Sequence, residues 1–112
     1  MKWWQKILAN TIIFLSLAGF LEGFIIETWL TALVAAIVFA GLNLFVKPIL
    51  VLLSLPITFL TLGLFYFVIN GLMLWLTAAL VSGFAFSSFW LALLVALIVS
   101  ALNAFLSSGF EN

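Results

Sequence analysis

Residues 47–56 read KPILVLLSLP, and they interrupt a chain that is otherwise apolar almost from end to end. Proline has no amide donor and disfavours helical geometry in the residue before it. A helix arriving at Lys47-Pro48 should therefore end or kink there, and Pro56 marks a second boundary. The segment between them is too short to cross hydrocarbon, which takes about twenty residues in a helix. It reads as a short helical or extended piece at a membrane interface, or as a shallow re-entrant dip. On either reading it is an elbow joining two membrane-inserted halves.

Composition makes the bilayer the solvent. A soluble domain carries about 25% charged residues, whereas this chain of 112 residues has 5%, with 69% hydrophobic and 17% aromatic. Too few polar groups exist to cover a soluble surface. Four apolar stretches follow, from about Ile7 to Leu21, from Trp29 to Val46, from a start between Ile57 and Thr61 to Val81, and from Trp90 to Leu106. The expected fold is all-α, a bundle of four transmembrane helices filling residues 1–112 as one integral membrane domain. LEGFIIETW and SGFAFSSF read as two external turns, and SSGFEN as a tail leaving into water. SLAG in the first stretch also fits a cleaved signal peptide.

The three lysines, Lys2, Lys6 and Lys47, fall on one side of this arrangement, and Glu22 and Glu27 fall on the other. The positive-inside rule then puts both termini and the elbow in the cytoplasm. Trp3 and Trp4 suit the headgroup layer beside Lys2 and Lys6. With no histidine and no cysteine, thiol catalysis, zinc sites and disulfides are excluded. No paired carboxylates stand mid-span for a proton relay. No basic run suggests nucleic acid. Neither an enzyme nor a cofactor is expected.

Sliding the chain against itself by sixty positions gives an ungapped match. GFIIETWLTALVAAIVFAGLNLFV from Gly23 lies over GFAFSSFWLALLVALIVSALNAFL from Gly83, and Asn10 and Ala18 recur as Asn70 and Ala78. The paired asparagines and Gly-Phe turns weigh more than the many Leu and Ala matches. The expectation is a duplicated hairpin: repeat one over residues 7–46, the elbow over 47–56 and repeat two over 57–106. Each copy crosses twice, so the copies insert with the same polarity about an axis along the membrane normal.

Ala32, Ala36 and Ala40 fall on one helical face leading to Asn43, and Ala92, Ala96 and Ser100 lead to Asn103 in the same way. Helices in lipid associate through close approach across small side chains, so these stripes are the candidate packing seams. Alanine as mere filler is the plainer alternative. An unpaired amide is costly in hydrocarbon, so Asn10, Asn43, Asn70 and Asn103 should face protein, water or the interface. Asn10 and Asn70 sit roughly 18 Å in from the external turns, and the other pair a little deeper. They form a candidate polar layer, which either locks helix register or lines a path or a bound headgroup. Gly19 and Gly23, four apart, are a candidate subunit contact.

GLNLFVKPILVLLSLPITFLTLGLFYFVINGLMLWL, Gly41 to Leu76, resembles the core pattern of the small four-span bacterial proteins classed as phage holin superfamily IV, or YvlD-like. The residues that carry the resemblance are Asn43, Lys47, Pro48, Leu55, Pro56, Thr61, Leu62, Gly63, Leu64, Phe65 and Asn70. It implies a four-span protein of the bacterial inner membrane and brings no catalytic residues. A lytic holin typically has a more strongly basic tail, and SSGFEN departs from that.

Three functions are open. The first is a structural or accessory subunit acting through lateral packing, with membrane lipids and either its own copies or a larger membrane complex as partners. The alternative is a holin-like oligomer that permeabilises the membrane. The third is a carrier of a lipid or small solute between the two hairpins.

Overall fold

Helix ends in this chain are set by glycine, proline and hydroxyl caps. A computed structural model describes residues 2–111. The order is α1 (Trp3–Phe20), β1 (Phe24–Ile26), α2 (Trp29–Phe45), α3 (Lys47–Leu53), α4 (Leu55–Leu60), α5 (Leu64–Leu80), β2 (Phe84–Phe86) and α6 (Phe89–Glu111). The chain is thus mostly helical, but the two expected external turns contain strands. After α1 the backbone turns through Gly23 at φ +87°, and after α5 through Gly83 at φ +86°. Only glycine takes that conformation without cost. Phe and Ile then favour the extended state. The two strands pair antiparallel, with Phe24 opposite Phe86, Ile25 opposite Ala85 and Ile26 opposite Phe84.

Beyond the ladder, Glu27 N–H donates to Gly83 O at 3.0 Å and Ser87 N–H donates to Gly23 O at 2.8 Å. Adding sixty to one residue of each pair and subtracting it from the other converts one bond into the other. The caps correspond in the same way. Thr28 Oγ1 accepts from Thr31 N–H at 3.1 Å at the start of α2, and Ser88 Oγ accepts from Leu91 N–H at 3.3 Å at the start of α6. Such caps contribute about 1 kcal/mol each.

In the elbow, α2 and α3 bend by 41° at Val46. The expected short interfacial piece is two short helices broken at Ser54, with Pro48 and Pro56 each in a first turn, where a missing amide costs little. Gly63 N–H donates to Thr58 O at 2.8 Å and Leu62 N–H to Phe59 O at 3.2 Å, the crossed pair of a Schellman motif. Leu62 stands in the left-handed region at φ +57°. That motif closes α4, so the third long helix begins at Leu64 rather than between Ile57 and Thr61. At the other end α6 runs on through the expected tail as far as Glu111, and Asn112 lies outside the described residues.

The long helices meet in a ring: α1 packs on α2, α2 on α5, α5 on α6 and α6 on α1. The core is aromatic at the ribbon end. Phe14 lies edge-on to Phe24, Phe39 and Phe84 at 6.3, 5.9 and 5.3 Å, and Phe24 stacks on Phe86 at 4.6 Å. Each such pair adds about 0.5–1.5 kcal/mol beyond its buried area. Outside, large apolar side chains are bare, from Phe20 at 87% and Trp90 at 77% to Leu62 at 93% exposed. An apolar surface of this extent fits contact with lipid rather than water.

Among the described residues one helix, α6 through Phe89–Leu106, is by itself long and apolar enough to cross a membrane, and α2 with α3 would count as a second, broken span. The helix lengths explain the difference from the four spans expected. α2 and α5 have 17 residues each, or about 26 Å of helix, against about 30 Å of hydrocarbon. α1 has 18 residues but spends its first turn on Trp, Gln and Lys.

Candidate functional site

Opposite the ribbon, the four long helices part around a cavity of about 690 Å³. α1 contributes Trp3, Lys6, Ile7 and Asn10, spaced i, i+3, i+4 and i+7 so that they share one face. α2 contributes Phe39, Ala40, Asn43 and Leu44, with Lys47 just beyond it at the start of α3; α5 gives Tyr66 and Asn70, and α6 gives Val99, Ser100 and Asn103. All four asparagines therefore line one space. Phe39 belongs both to this lining and to the phenylalanine cluster, so it forms the cavity floor.

The amides are unequally satisfied. Asn103 Nδ2 donates to Asn10 Oδ1 at 2.7 Å and to Val99 O at 3.0 Å. Asn70 Nδ2 donates to Ser100 Oγ at 3.3 Å. Asn10 and Asn70 are buried. Asn43 Oδ1 and Asn103 Oδ1 are buried with no hydrogen-bond partner in the protein. The sixty-residue counterpart of the Asn10–Asn103 bond would join Asn70 to Asn43. That bond, from Asn43 Nδ2 to Asn70 Oδ1, is not made; Asn70 instead donates its Nδ2 to Ser100, whose counterpart Ala40 has no hydroxyl.

Charge in the cavity has one sign. Lys47 Nζ lies 4.4 Å from the Tyr66 ring centroid, a cation–π contact that leaves its N–H donors free. Glu22 flanks the ribbon end and Glu27 adjoins it, and among the described residues no ion pair neutralises Lys6 or Lys47. Among the described residues the lining has no carboxylate. The described lining offers ammonium and amide donors to an anion, and it includes two asparagines whose buried carbonyl oxygens have no partner.

The family described as mycobacterial 4 TMS phage holin, superfamily IV, matches residues 1–105. The chain belongs to that family. It is 32% identical over 109 residues to the uncharacterized membrane protein YvlD of Bacillus subtilis (strain 168), covering 96% of this chain and 92% of that protein. It is 47% identical over 91 residues to an uncharacterized protein of Streptomyces coelicolor, covering 74% of this chain and 73% of the relative. No solved structure matches.

In this superfamily IV chain the candidate residues fall into three places. Ala32, Ala36, Ala92 and Ala96 are buried and Ala40 and Ser100 half-buried; both their helices pack between α1 and α5, α2 more on α1 and α6 more on α5. Lys47, Pro48 and Pro56 lie in the elbow helices, and Lys47 also reaches the cavity. Gly19 and Gly23 do not share a helical face, contrary to expectation. α1 stops at Phe20, and a methyl on Gly23 would run into the chain's own Ser87 and Leu91. Sequence reasoning missed Lys6, Tyr66 and Phe39 as lining residues. Lys6–Asn10 and Tyr66–Asn70 are each spaced i, i+4, which put a cation and a ring one turn from a polar amide.

Proposed function

We propose that the chain is a structural or accessory subunit of the bacterial inner membrane, working through lateral helix packing. In this reading the four long helices form a bundle of two hairpins, residues 7–46 and 57–106, inserted with the same polarity. Both termini and the elbow lie in the cytoplasm. The correspondence of ribbon bonds and helix caps at sixty residues supports the duplication, and the gathering of lysines at one end supports the orientation.

The observation that carries the functional reading is where the polar lining stops. It begins at Lys6 and Lys47 and ends at Phe39, behind which Phe14, Phe24, Phe84 and Phe86 fill the interior. A single chain therefore offers water no route through. A hole between copies would be lined by Ile12, Val34, Ile37, Leu94 and Leu97, all exposed and apolar. Those faces suit helix or lipid contact instead.

Inducing the protein in a bacterium while following dye entry and membrane potential tests this. The expected result is intact potential and no dye entry, with native mass measurement in mild detergent showing a homo-oligomer or a larger assembly. Permeabilisation at moderate expression overturns the reading in favour of a holin-like oligomer. Recovery only as a lone monomer removes the lateral-packing role.

A further inference from the structure

We infer that the cavity between the long helices binds an anionic phosphate ester that carries hydroxyl groups. The inference goes beyond the accessory role and does not depend on copies associating. Three independent features converge on that chemistry. Lys6 and Lys47 place two ammonium groups on the lining with no carboxylate beside them among the described residues, so the site is complementary to an anion. Asn43 and Asn103 line the cavity, and their Oδ1 atoms are closed off and without partners; once the amides turn to the cavity they need a donor, which a simple oxyanion lacks. A hydroxyl on the same ligand supplies one. Ile7, Phe39, Leu44 and Val99 complete the wall, so an apolar stem next to the anion is accommodated as well.

The volume of about 690 Å³ falls within the range of about 300–1,000 Å³ usual for small-ligand sites. Position selects phosphate among anions. Trp3 lies on the rim and the cavity sits at the lysine-bearing end, the level at which lipid phosphates lie; basic pockets between helices at that level recognise headgroups. The phosphate faces Lys6 and Lys47, and the hydroxyls face the Asn43 and Asn103 carbonyls. Lys47 stays positioned by the Tyr66 ring.

The test uses the full-length protein in mild detergent, titrated with phosphatidylglycerol or phosphatidylcholine and read by native mass spectrometry. Expected is retention of one phosphatidylglycerol per chain, roughly tenfold or more in preference to phosphatidylcholine. The double variant Lys6→Gln/Lys47→Gln should lose that preference, while Lys2→Gln, a lysine off the lining, should keep it. Asn43→Leu, which leaves the charge untouched, should weaken retention several-fold, and thermal unfolding of each variant establishes that it is folded. A competing arm adds free glycerol phosphate. Displacement of the lipid shows that the soluble ester suffices, and no displacement shows that the ligand must be lipid-borne. Equal retention of the two lipids, or equal loss in Lys2→Gln and the double variant, overturns the inference, the latter because it reports surface charge alone.

Discussion

Asn103 donates its side-chain amide to the Asn10 carbonyl across 2.7 Å, joining residues 93 positions apart on α6 and α1. The bond crosses the seam where the last helix returns to the first, and Asn10 itself is almost fully buried. Removing one partner orphans the other. Asn103→Leu should destabilise by about 1–3 kcal/mol, whereas Asn10→Leu/Asn103→Leu together should cost less than the sum of the single changes. Unfolding in a mixed-detergent titration checks this. Additive losses would show that the two amides are not coupled.

Ser100 Oγ accepts a hydrogen bond from the Asn70 amide nitrogen at 3.3 Å. Ser100→Ala removes the acceptor and frees Asn70 to turn toward the unspent Asn43 carbonyl. The expected net change is under about 1 kcal/mol, since one side-chain bond replaces another. A double-mutant cycle between Asn43 and Asn70 should read near zero in the parent and a measurable coupling in the Ser100→Ala background. No coupling in either background would show that Asn70 does not turn to Asn43.

Gly23→Ala and Gly83→Ala should be similarly harmful. Both residues hold positive φ, and the added methyl meets the side chain of Ser87 in one case and Glu27 Cδ at 2.9 Å in the other. A cost of about 1–2 kcal/mol each from backbone conformation alone is expected, with steric displacement added. Gly19→Ala, where a methyl meets nothing, is the control and should change stability by less than about 0.5 kcal/mol.

Phe14 is fully buried among three aromatic partners while Phe20, six residues later on the same helix, is 87% exposed. Phe14→Ala should cost about 3–5 kcal/mol. Phe20→Ala should have little effect on unfolding in detergent, because the residue has no protein neighbour to lose. If the two substitutions proved equally costly, the aromatic cluster would not be the core.

Much of the helical architecture was legible in the sequence. The motif from Asn43 through Lys47-Pro48 to Asn70 led to the family that the whole-chain match establishes. The elbow at Lys47 and Pro56 was visible because proline chemistry acts locally. What escaped reading depends on partners distant in sequence. Phe24–Ile26 is too short for a period of two to emerge from a turn, and only its pairing with Phe84–Phe86 makes it a strand. The start of α5 escaped because the left-handed pair after α4 begins at a leucine, Leu62, one residue before Gly63. The asparagines could be placed on helices, but helical spacing says nothing of which neighbours a face will meet. Lys6 and Lys47 were legible as topology markers, a reading that hid their place on the cavity wall.

The ribbon also sets an order of events in biosynthesis. Gly23 receives its hydrogen bond from Ser87, so the first hairpin must remain open-edged until most of the chain has left the ribosome. During that interval the main-chain groups of Phe24–Ile26 have no match within the nascent polypeptide. Closure is thus a late event that ties the turn after α1 to the turn after α5.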